Sequence, residues 1–235
     1  MFLAGNLLLS SRWVKQDLRL IQQQLTELPR ASGTDRVRSE QKSRRVASCV
    51  KRTFDLVLGL SLLPLLSIPM AVIAVAVKLT SIGSILYWSD RVGRDNRVFR
   101  MPKFRTMNLG TPEVATHLLS DPKAHLTIIG SFLRKTSLDE LPQIYSVLKG
   151  DLSFVGPRPA LHNQNDLVAL RTEHGVHELT PGLTGWAQVN GRDDLPISQK
   201  VEYDCEYLRK RAFLFDLKIL CLTFLTVIRR DGVAH

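Results

Sequence analysis

One apolar run constrains the fold of this chain more than any other part of it. Residues 56–77 contain no charged side chain, and about twenty apolar residues are enough for a helix to cross a bilayer. Pro64 and Pro69 lie inside the run, and proline bends a helix because it lacks a backbone donor. Ser67 lies between them, and we expect its hydroxyl to satisfy one carbonyl that the prolines leave free.

Basic residues on both sides of the run limit its topology. Because Lys and Arg collect on the cytoplasmic side of membranes, we expect residues 47–79 to form a re-entrant helix that enters, bends at the prolines and leaves on the same face. A kinked transmembrane helix is the alternative, since spanning helices tolerate proline. A buried helix of a soluble domain fits this length less well. The flanking cations are Arg44, Arg45, Lys51 and Arg52 before the run, and Lys78, Arg91, Arg94, Arg97 and Arg100 after it.

The residues before the run form two segments. Apolar side chains recur every three or four positions over residues 7–28, which predicts an amphipathic helix. Such a helix could form a coiled coil, lie on a membrane or pack on the domain, and the sequence leaves these open. Residues 31–46 are polar and basic, which favours a linker. The predicted organisation is a helix at 1–30, a linker at 31–46, a membrane helix at 47–79 and one domain at 80–235. The apolar start lacks a basic n-region and a clear cleavage site, so we do not interpret it as a signal peptide.

Charge and cysteine content limit the partners. The 235 residues include 32 Lys and Arg against 22 Asp and Glu, a formal net charge of +10. This favours nucleic acid, an anionic membrane face or a phosphorylated substrate. Nucleic acid is disfavoured because the cations flank an apolar run and do not alternate with aromatic residues. Cys49, Cys205 and Cys221 form no C-x-x-C pair, which indicates a reducing compartment.

An acidic pair in residues 134–159 is the main candidate site. Ser137 lies three residues before Glu140, so the sequence predicts a helix capped by Ser137 with Asp139 and Glu140 in its first turn. The helix N-terminus would favour the ionised carboxylates that a nucleophile or an Mg²⁺ ligand needs. Arg134 and Arg158 flank the pair, and guanidinium groups match phosphate oxygens. The alternative is a capping box with solvated acids, which is common at helix starts.

Alternating residues after Gly83 predict a short β-hairpin. The arms are residues 84–90 and 97–107, and the turn is formed by residues 93–96. Lys103 and Arg105 are two residues apart in the second arm, so they share one face of the strand. They could bind phosphate, or they could simply face water.

The remaining residues give weaker signals. Residues 160–178 are helical in period, and His162, His174 and His177 have no i, i+4 partner, so we interpret them as surface or packing residues. The Gly-rich residues 179–192 could hold a nucleotide or form a structural loop. Residues 198–211 predict a helix in which Asp204 anchors site arginines or pairs with surface cations. The run at 213–230 predicts a helix in the membrane interface.

Five motifs in this order resemble one family. They are KRTFDL at 51–56, KFRTM at 103–107, RKTSLDELPQ at 134–143, GDLSFVGPRP at 150–159 and TPGLTGWAQVNGR at 180–192. Together they are similar to the bacterial sugar transferases, the monotopic polyprenyl-phosphate phosphoglycosyl transferases. The resemblance covers about residues 51–230 and implies transfer of a sugar 1-phosphate from a UDP-sugar to undecaprenyl phosphate with release of UMP. It implies a mainly α, monotopic membrane protein with a short β-hairpin, a re-entrant helix and interfacial amphipathic helices.

The resemblance also implies roles for individual residues. Asp139 would be the nucleophile that forms a sugar-phosphoryl-aspartate, and Glu140 would hold Mg²⁺. Phosphates would be bound by cations of the motifs. The substrate-binding set is Lys103, Arg105, Arg134 and Arg158, with Asp204 matching an acidic position of less certain role. The catalytic domain would lie on the cytoplasmic face of the bacterial inner membrane and begin synthesis of capsule, O-antigen, exopolysaccharide or glycoprotein glycans.

The chain departs from the family pattern in two places. Its helix break reads Ser67-Ile68-Pro69 with an additional Pro64, where the family has adjacent Ser and Pro. About 46 residues precede the match, too few for the four-helix membrane domain of larger members. A non-catalytic membrane scaffold for glycan assembly is the alternative function. The identity of the sugar, the pathway and a homodimer through residues 7–28 stay open.

Overall fold

The computed structural model describes residues 33–111, 121, 124–191 and 195–229. The predicted amphipathic helix at residues 7–28 and Arg192 of the Gly-rich loop therefore lie outside the described residues.

A long helix, α1, covers Gly33–Thr80 and contains both prolines. It begins within the predicted linker and ends one residue after the predicted membrane segment. Its part Val46–Thr80 is long and apolar enough to cross a membrane. The Ser67 hydroxyl donates to the carbonyl of Pro64 at 2.7 Å. The prolines free the carbonyls of Leu60 and Leu65, four residues before each ring, so the expected role of Ser67 is wrong.

Helix α1 packs on the rest of the domain near both ends of its apolar run. Near the start, Asp55 accepts hydrogen bonds from the Ser153 hydroxyl at 3.1 Å and the Phe154 amide at 3.0 Å. Near the end, Ile73 and Val77 are buried against Phe104 and Leu133. Between these contacts the helix surface is largely exposed, including both prolines. The exposed apolar side chains of α1 include Val57, Leu60, Leu63, Leu65, Ile68, Val72, Val75 and Leu79.

The predicted hairpin is confirmed. Strands β1, Leu86–Val92, and β2, Val98–Phe104, pair antiparallel, with Tyr87 opposite Lys103. A 3₁₀ turn at Arg94–Asn96 joins them, and Asp95 and Asn96 have positive φ, a conformation that Asp and Asn tolerate better than most residues. The sequence did not predict that β1 also pairs with a short strand β4, Ala160–Leu161.

The acidic pair lies on a short 3₁₀ helix and not at the start of a capped α-helix. Helix α2 covers Gly130–Lys135, the 3₁₀ helix covers Leu138–Gln143, and helix α3 covers Ile144–Lys149. Ser137 has φ 56° and makes no capping bond with its side chain, although an N-cap residue needs an extended backbone. The predicted Ser137 cap is therefore wrong. Helix α3 ends at Gly150, which adopts the left-handed conformation.

A two-stranded parallel sheet holds the turn that carries Arg158. Strand β3, Ser153–Val155, pairs with β5, Gly182–Thr184. The two backbones approach so closely that a Cβ atom on Gly182 would lie 2.1 Å from the amide nitrogen of Gly156. Glycine is required here because no side chain fits. The Gly-rich segment of the sequence thus supports the Gly156–Pro159 turn directly.

Four α-helices and a 3₁₀ helix, Val176–Glu178, complete the described part of the chain. Helix α4 covers Asn165–Glu173, α5 covers Trp186–Val189, α6 covers Ile197–Lys210 and α7 covers Phe213–Arg229. The main core combines apolar residues from α5, α6, α7, β2, β3 and α3. One face of helix α7 packs on the domain, because Ile219 is fully buried and Asp216 binds Tyr207 and Lys51; its place in the membrane interface stays a prediction. Its exposed face carries Phe213, Leu214, Phe224 and Leu225.

Candidate active site

Glu140 is bound by two cations that come from different parts of the chain. Its Oε1 atom accepts hydrogen bonds from the Lys103 Nζ atom at 2.7 Å and from the Arg158 Nη2 atom at 3.0 Å. Lys103 comes from β2, and Arg158 comes from the turn between β3 and β4. The hairpin, the 3₁₀ helix and the Gly-Pro-Arg-Pro turn therefore meet at one carboxylate.

Asp139 lies next to Glu140 and is only 7% exposed. Arg134 of α2 is close enough to interact electrostatically with Asp139, and its Nε atom donates to the Thr106 hydroxyl at 3.0 Å. Helix α2 can approach Thr106 because Gly130 has no side chain; a Cβ atom there would lie 2.1 Å from the Thr106 carbonyl oxygen. Three cations, Lys103, Arg134 and Arg158, thus surround two carboxylates, and an excess of positive charge attracts phosphate.

Burial and charge act in opposite directions on the two carboxylates. For Asp139, burial raises the pKa and Glu140 adds to this effect, while the three cations lower it without cancelling it. Burial would also raise the pKa of Glu140, but Arg158 and Lys103 outweigh it and hold that pKa well below its usual range. Glu140 is therefore a fixed negative charge, and Asp139 is a more basic carboxylate.

Two residues of the predicted substrate-binding set lie away from this cluster. Arg105 is buried, and its guanidinium donates to the carbonyl oxygens of Ile82 at 2.7 Å and Ser81 at 3.2 Å. Asp204 is 1% exposed and binds Arg171 through its Oδ2 atom. Lys103, Arg134, Arg158, Asp139 and Glu140 are thus brought together, whereas Arg105 and Asp204 contact other groups.

The sequence matches known proteins over most of its length. The family model described as "Bacterial sugar transferase" matches residues 46–230. The chain belongs to the bacterial sugar transferase family.

Individual relatives agree with the family match. The chain is 42% identical over 187 residues to the uncharacterised sugar transferase EpsL of Bacillus subtilis (strain 168), covering 78% of this chain and 90% of that protein. It is 39% identical over 181 residues to the UDP-glucose:undecaprenyl-phosphate glucose-1-phosphate transferase of Escherichia coli (strain K12), covering 74% and 39% of the two chains. It is 36% identical over 205 residues to the undecaprenyl-phosphate galactose phosphotransferase of Salmonella typhimurium, covering 81% and 43%. The match thus spans nearly all of the first relative but less than half of the other two.

Sequence reasoning missed a residue that supports the sugar transferase site. Arg171 of α4 donates to the Asp204 carboxylate and, through Nη1, to the backbone carbonyl of Arg158 at 2.8 Å. Its position within the helical period of residues 160–178 gives no sign of this role. The contact depends on α4 packing against α6, which no local pattern predicts.

The donor atoms of the acidic pair fit a hard divalent cation. Among the described residues, both hydrogen bonds to Glu140 end on its Oε1 atom. The Oε2 atom is therefore left for a metal ion. Mg²⁺ is usually bound in proteins by one or two carboxylates together with substrate phosphates. Glu140, with Asp139 beside it, could therefore hold Mg²⁺ once a phosphorylated substrate is present.

Proposed function

We propose that this sugar transferase moves a sugar 1-phosphate from a UDP-sugar to undecaprenyl phosphate and releases UMP. The observation that supports it most directly is the buried Asp139 carboxylate, which lies between three cations and beside Glu140. The named relatives from Escherichia coli and Salmonella typhimurium are transferases of this substrate class. The sugar and the glycan pathway are left open by the residues of the site.

The first chemical step is attack of Asp139 on the β-phosphorus of the donor. A carboxylate oxygen forms a bond to this phosphorus, the bond to the bridging oxygen breaks, and UMP leaves with the electron pair. The high pKa of Asp139 relative to an ordinary aspartate makes its ionised form a better nucleophile. Lys103, Arg134 and Arg158 are placed to stabilise the charge on the phosphoryl oxygens.

The second step returns Asp139 to its starting form. A phosphate oxygen of undecaprenyl phosphate attacks the same phosphorus, a new pyrophosphate bond forms, and the bond to the Asp139 oxygen breaks. Glu140 would hold Mg²⁺, which when bound would supply positive charge to the phosphoryl oxygens. Lys103 and Arg158 keep Glu140 ionised for this purpose.

The acceptor is a lipid, so the site must lie at a membrane. We place the chain on the cytoplasmic face of the bacterial inner membrane, with α1 as a re-entrant helix. The contacts of Asp55 and of Val77 with the same domain support this placement, because both ends of the apolar run then lie on the domain's side.

Donor labelled at the β-phosphate tests the mechanism. Without undecaprenyl phosphate, the wild-type chain should become labelled and release UMP, and Asp139→Asn should do neither. Asp166→Asn, an exposed aspartate at the start of α4, is the matched control and should behave as wild type. Release of UMP by Asp139→Asn at the wild-type rate would refute the nucleophile. If lipid product accumulates while rapid quenching never detects labelled protein, transfer occurs directly and the two-step mechanism is wrong.

A further inference from the structure

We propose that Arg171 is a positioning residue that fixes the turn carrying Arg158, and that Asp204 serves to anchor Arg171. The inference rests on the proposed function, because it concerns the arginine that we place on the donor phosphates. In this arrangement Asp204 acts on the substrate site only through Arg171 and Arg158.

The Arg171 guanidinium connects helix α6 with the Gly-Pro-Arg-Pro turn. Its Nε and Nη2 atoms donate to the Asp204 Oδ2 atom at 3.0 and 2.7 Å, and its Nη1 atom donates to the Arg158 carbonyl at 2.8 Å. The side chains of Arg171 and Asp204 are 11% and 1% exposed. The Arg171 guanidinium is therefore largely shielded from water and bonded on two sides.

The turn itself leaves few backbone groups to hold it. Pro157 and Pro159 lack amide donors, so, besides the Gly156 amide, which donates to the Thr184 carbonyl at 2.8 Å, the turn is held through its carbonyl groups. The Pro157 carbonyl accepts from the Gly182 amide at 2.9 Å, and the Arg158 carbonyl accepts from Arg171. Because the side chain of Arg158 reaches Glu140 from this backbone position, movement of its carbonyl moves the guanidinium relative to the phosphates.

Arginine is required at position 171 because its side chain must donate to two acceptors that lie in different directions. Its planar guanidinium donates in fixed directions to the carboxylate and the carbonyl together, whereas a lysine ammonium is a compact charge on a flexible chain. In Arg171→Lys we expect the ammonium to stay with buried Asp204, since leaving that carboxylate unpaired is costly. The Arg158 carbonyl then loses its donor while the charge balance of the buried pair is kept.

A double-mutant cycle on UMP release by the full-length chain tests the inference. Displacement of a catalytic group by about 1 Å can cost about 100-fold in rate, so we expect Arg171→Lys to lower kcat/KM by about 10- to 100-fold. Arg209→Lys, the same change at an exposed position of α6, should have no effect. If Arg171 acts through Arg158, Arg171→Lys should have little further effect in an Arg158→Met background. Equal losses in both backgrounds would overturn the inference.

A second variant separates positioning from folding. Replacing a buried ion pair by apolar side chains of similar size is often neutral for stability, so Arg171→Met with Asp204→Leu should fold while still leaving the Arg158 carbonyl without its donor. This variant should lose activity as Arg171→Lys does. Wild-type kcat/KM in this variant would contradict the inference.

A measurement independent of turnover distinguishes this inference from the proposed function. In detergent micelles, ¹⁵N relaxation of the arginine side chains should show a more mobile Arg158 Nε in Arg171→Lys than in wild type or Arg209→Lys. If no UDP-sugar yields UMP but Arg158 is mobilised, the proposed function fails and the positioning role stands. Unchanged Arg158 mobility refutes the positioning role whatever the activity.

Discussion

The pKa values of the two adjacent acids of the site are shifted in opposite directions. Burial disfavours the negative charge of Asp139. Lys103 and Arg158 stabilise the negative charge of Glu140. A nucleophile gains reactivity from the first environment, while a metal ligand gains a permanent charge from the second. The local sequence Asp-Glu does not distinguish these environments, because they depend on which side chains arrive from β2, α2 and the Gly-Pro-Arg-Pro turn.

The opposite pKa shifts predict opposite effects on stability. The raised pKa of Asp139 means that its contribution to folding is present below the unfolded pKa, near 3.8, and is lost as pH rises through the folded pKa. At pH 7.5, without metal and with a chelator present, Asp139→Asn should therefore melt at a higher temperature than wild type. The excess should disappear as pH approaches 4.

Glu140→Gln should behave in the reverse way. The lowered pKa of Glu140 gives stability above the unfolded pKa, near 4.5, that is lost as pH falls through the folded pKa. The variant should lose about 1–3 kcal/mol at pH 7.5 because Lys103 and Arg158 lose a charged acceptor, and the deficit should shrink in acid. Thermal unfolding from pH 3 to 8.5 measures both variants. A lower melting temperature for Asp139→Asn than for wild type at pH 7.5 would contradict the assignment.

The sequence motifs identify the residues of the acidic cluster better than the residues that hold them in place. Lys103, Arg134 and Arg158 all belong to motifs, and all three are brought to the acidic pair. Arg105 was grouped with Lys103 because both lie on one arm of the hairpin, but strand β2 ends at Phe104. Beyond that end the alternation of faces no longer applies, and Arg105 turns to the carbonyls after α1.

At the scale of elements, backbone proximity matters more than side-chain packing around the Arg158 turn. The Gly156 amide donates to the Thr184 carbonyl at 2.8 Å, and the strand pair β3 and β5 brings the turn against the Gly-rich segment. The sequence suggested that this segment was either a nucleotide site or a structural loop. The described contacts are structural, including the Trp186 indole bound to Glu206 at 2.7 Å. Parallel pairing of two three-residue strands leaves no recognisable pattern in the sequence.

Gly182→Ala should disable the site from a position that contacts no reacting residue. The added Cβ atom would lie 2.1 Å from the Gly156 amide nitrogen, and both partners are backbone atoms that cannot rotate away. We expect the free energy of unfolding to fall by about 1–3 kcal/mol, as at other overpacked sites. The rate of UMP release by the folded protein should fall as well, because the Arg158 turn is displaced. Gly175→Ala is the control, because Gly175 has nothing within 4 Å of a built Cβ atom and bears only the cost of its positive φ. Equal activity of the two variants would show that the turn tolerates the shift.

At the scale of the whole domain, the first motif of the sequence attaches the membrane helix to the site. Lys51 binds Asp216 of α7 at 2.6 Å, Arg52 donates to the Val147 and Leu148 carbonyls at the end of α3, and Asp55 binds β3. The sequence showed KRTFDL only as part of a family pattern, since its partners lie far along the chain. Helix α3 follows the acidic pair directly, so α1 contacts the element that carries on from Asp139 and Glu140.

The docking of α1 at both ends leads to a test of its topology. From Asp55 to Val77 a straight helix would extend about 33 Å at 1.5 Å per residue, and the hydrocarbon core is about 30 Å thick. A crossing helix would place its two docked ends on opposite faces, and the domain that contacts both would have to lie in the hydrocarbon. A bend in the exposed part around Pro64 and Pro69 leaves both ends on the domain's side.

Thiol labelling of the full-length chain in oriented membrane vesicles measures this arrangement. One variant keeps exposed Cys49 and has Cys205 and Cys221 replaced by Ser; the second also replaces Cys49 and carries Ser84→Cys. A membrane-impermeant maleimide should label both positions in inverted vesicles and neither in right-side-out vesicles, because the proposed re-entrant helix places both flanks on the cytoplasmic face. Ile68→Cys, in the middle of the exposed run, is the control and should resist labelling from either side until detergent is added. Labelling of Cys49 from one side and of Ser84→Cys from the other would establish a transmembrane helix, and the domain contacts of Asp55 and Val77 could then not both exist in the membrane.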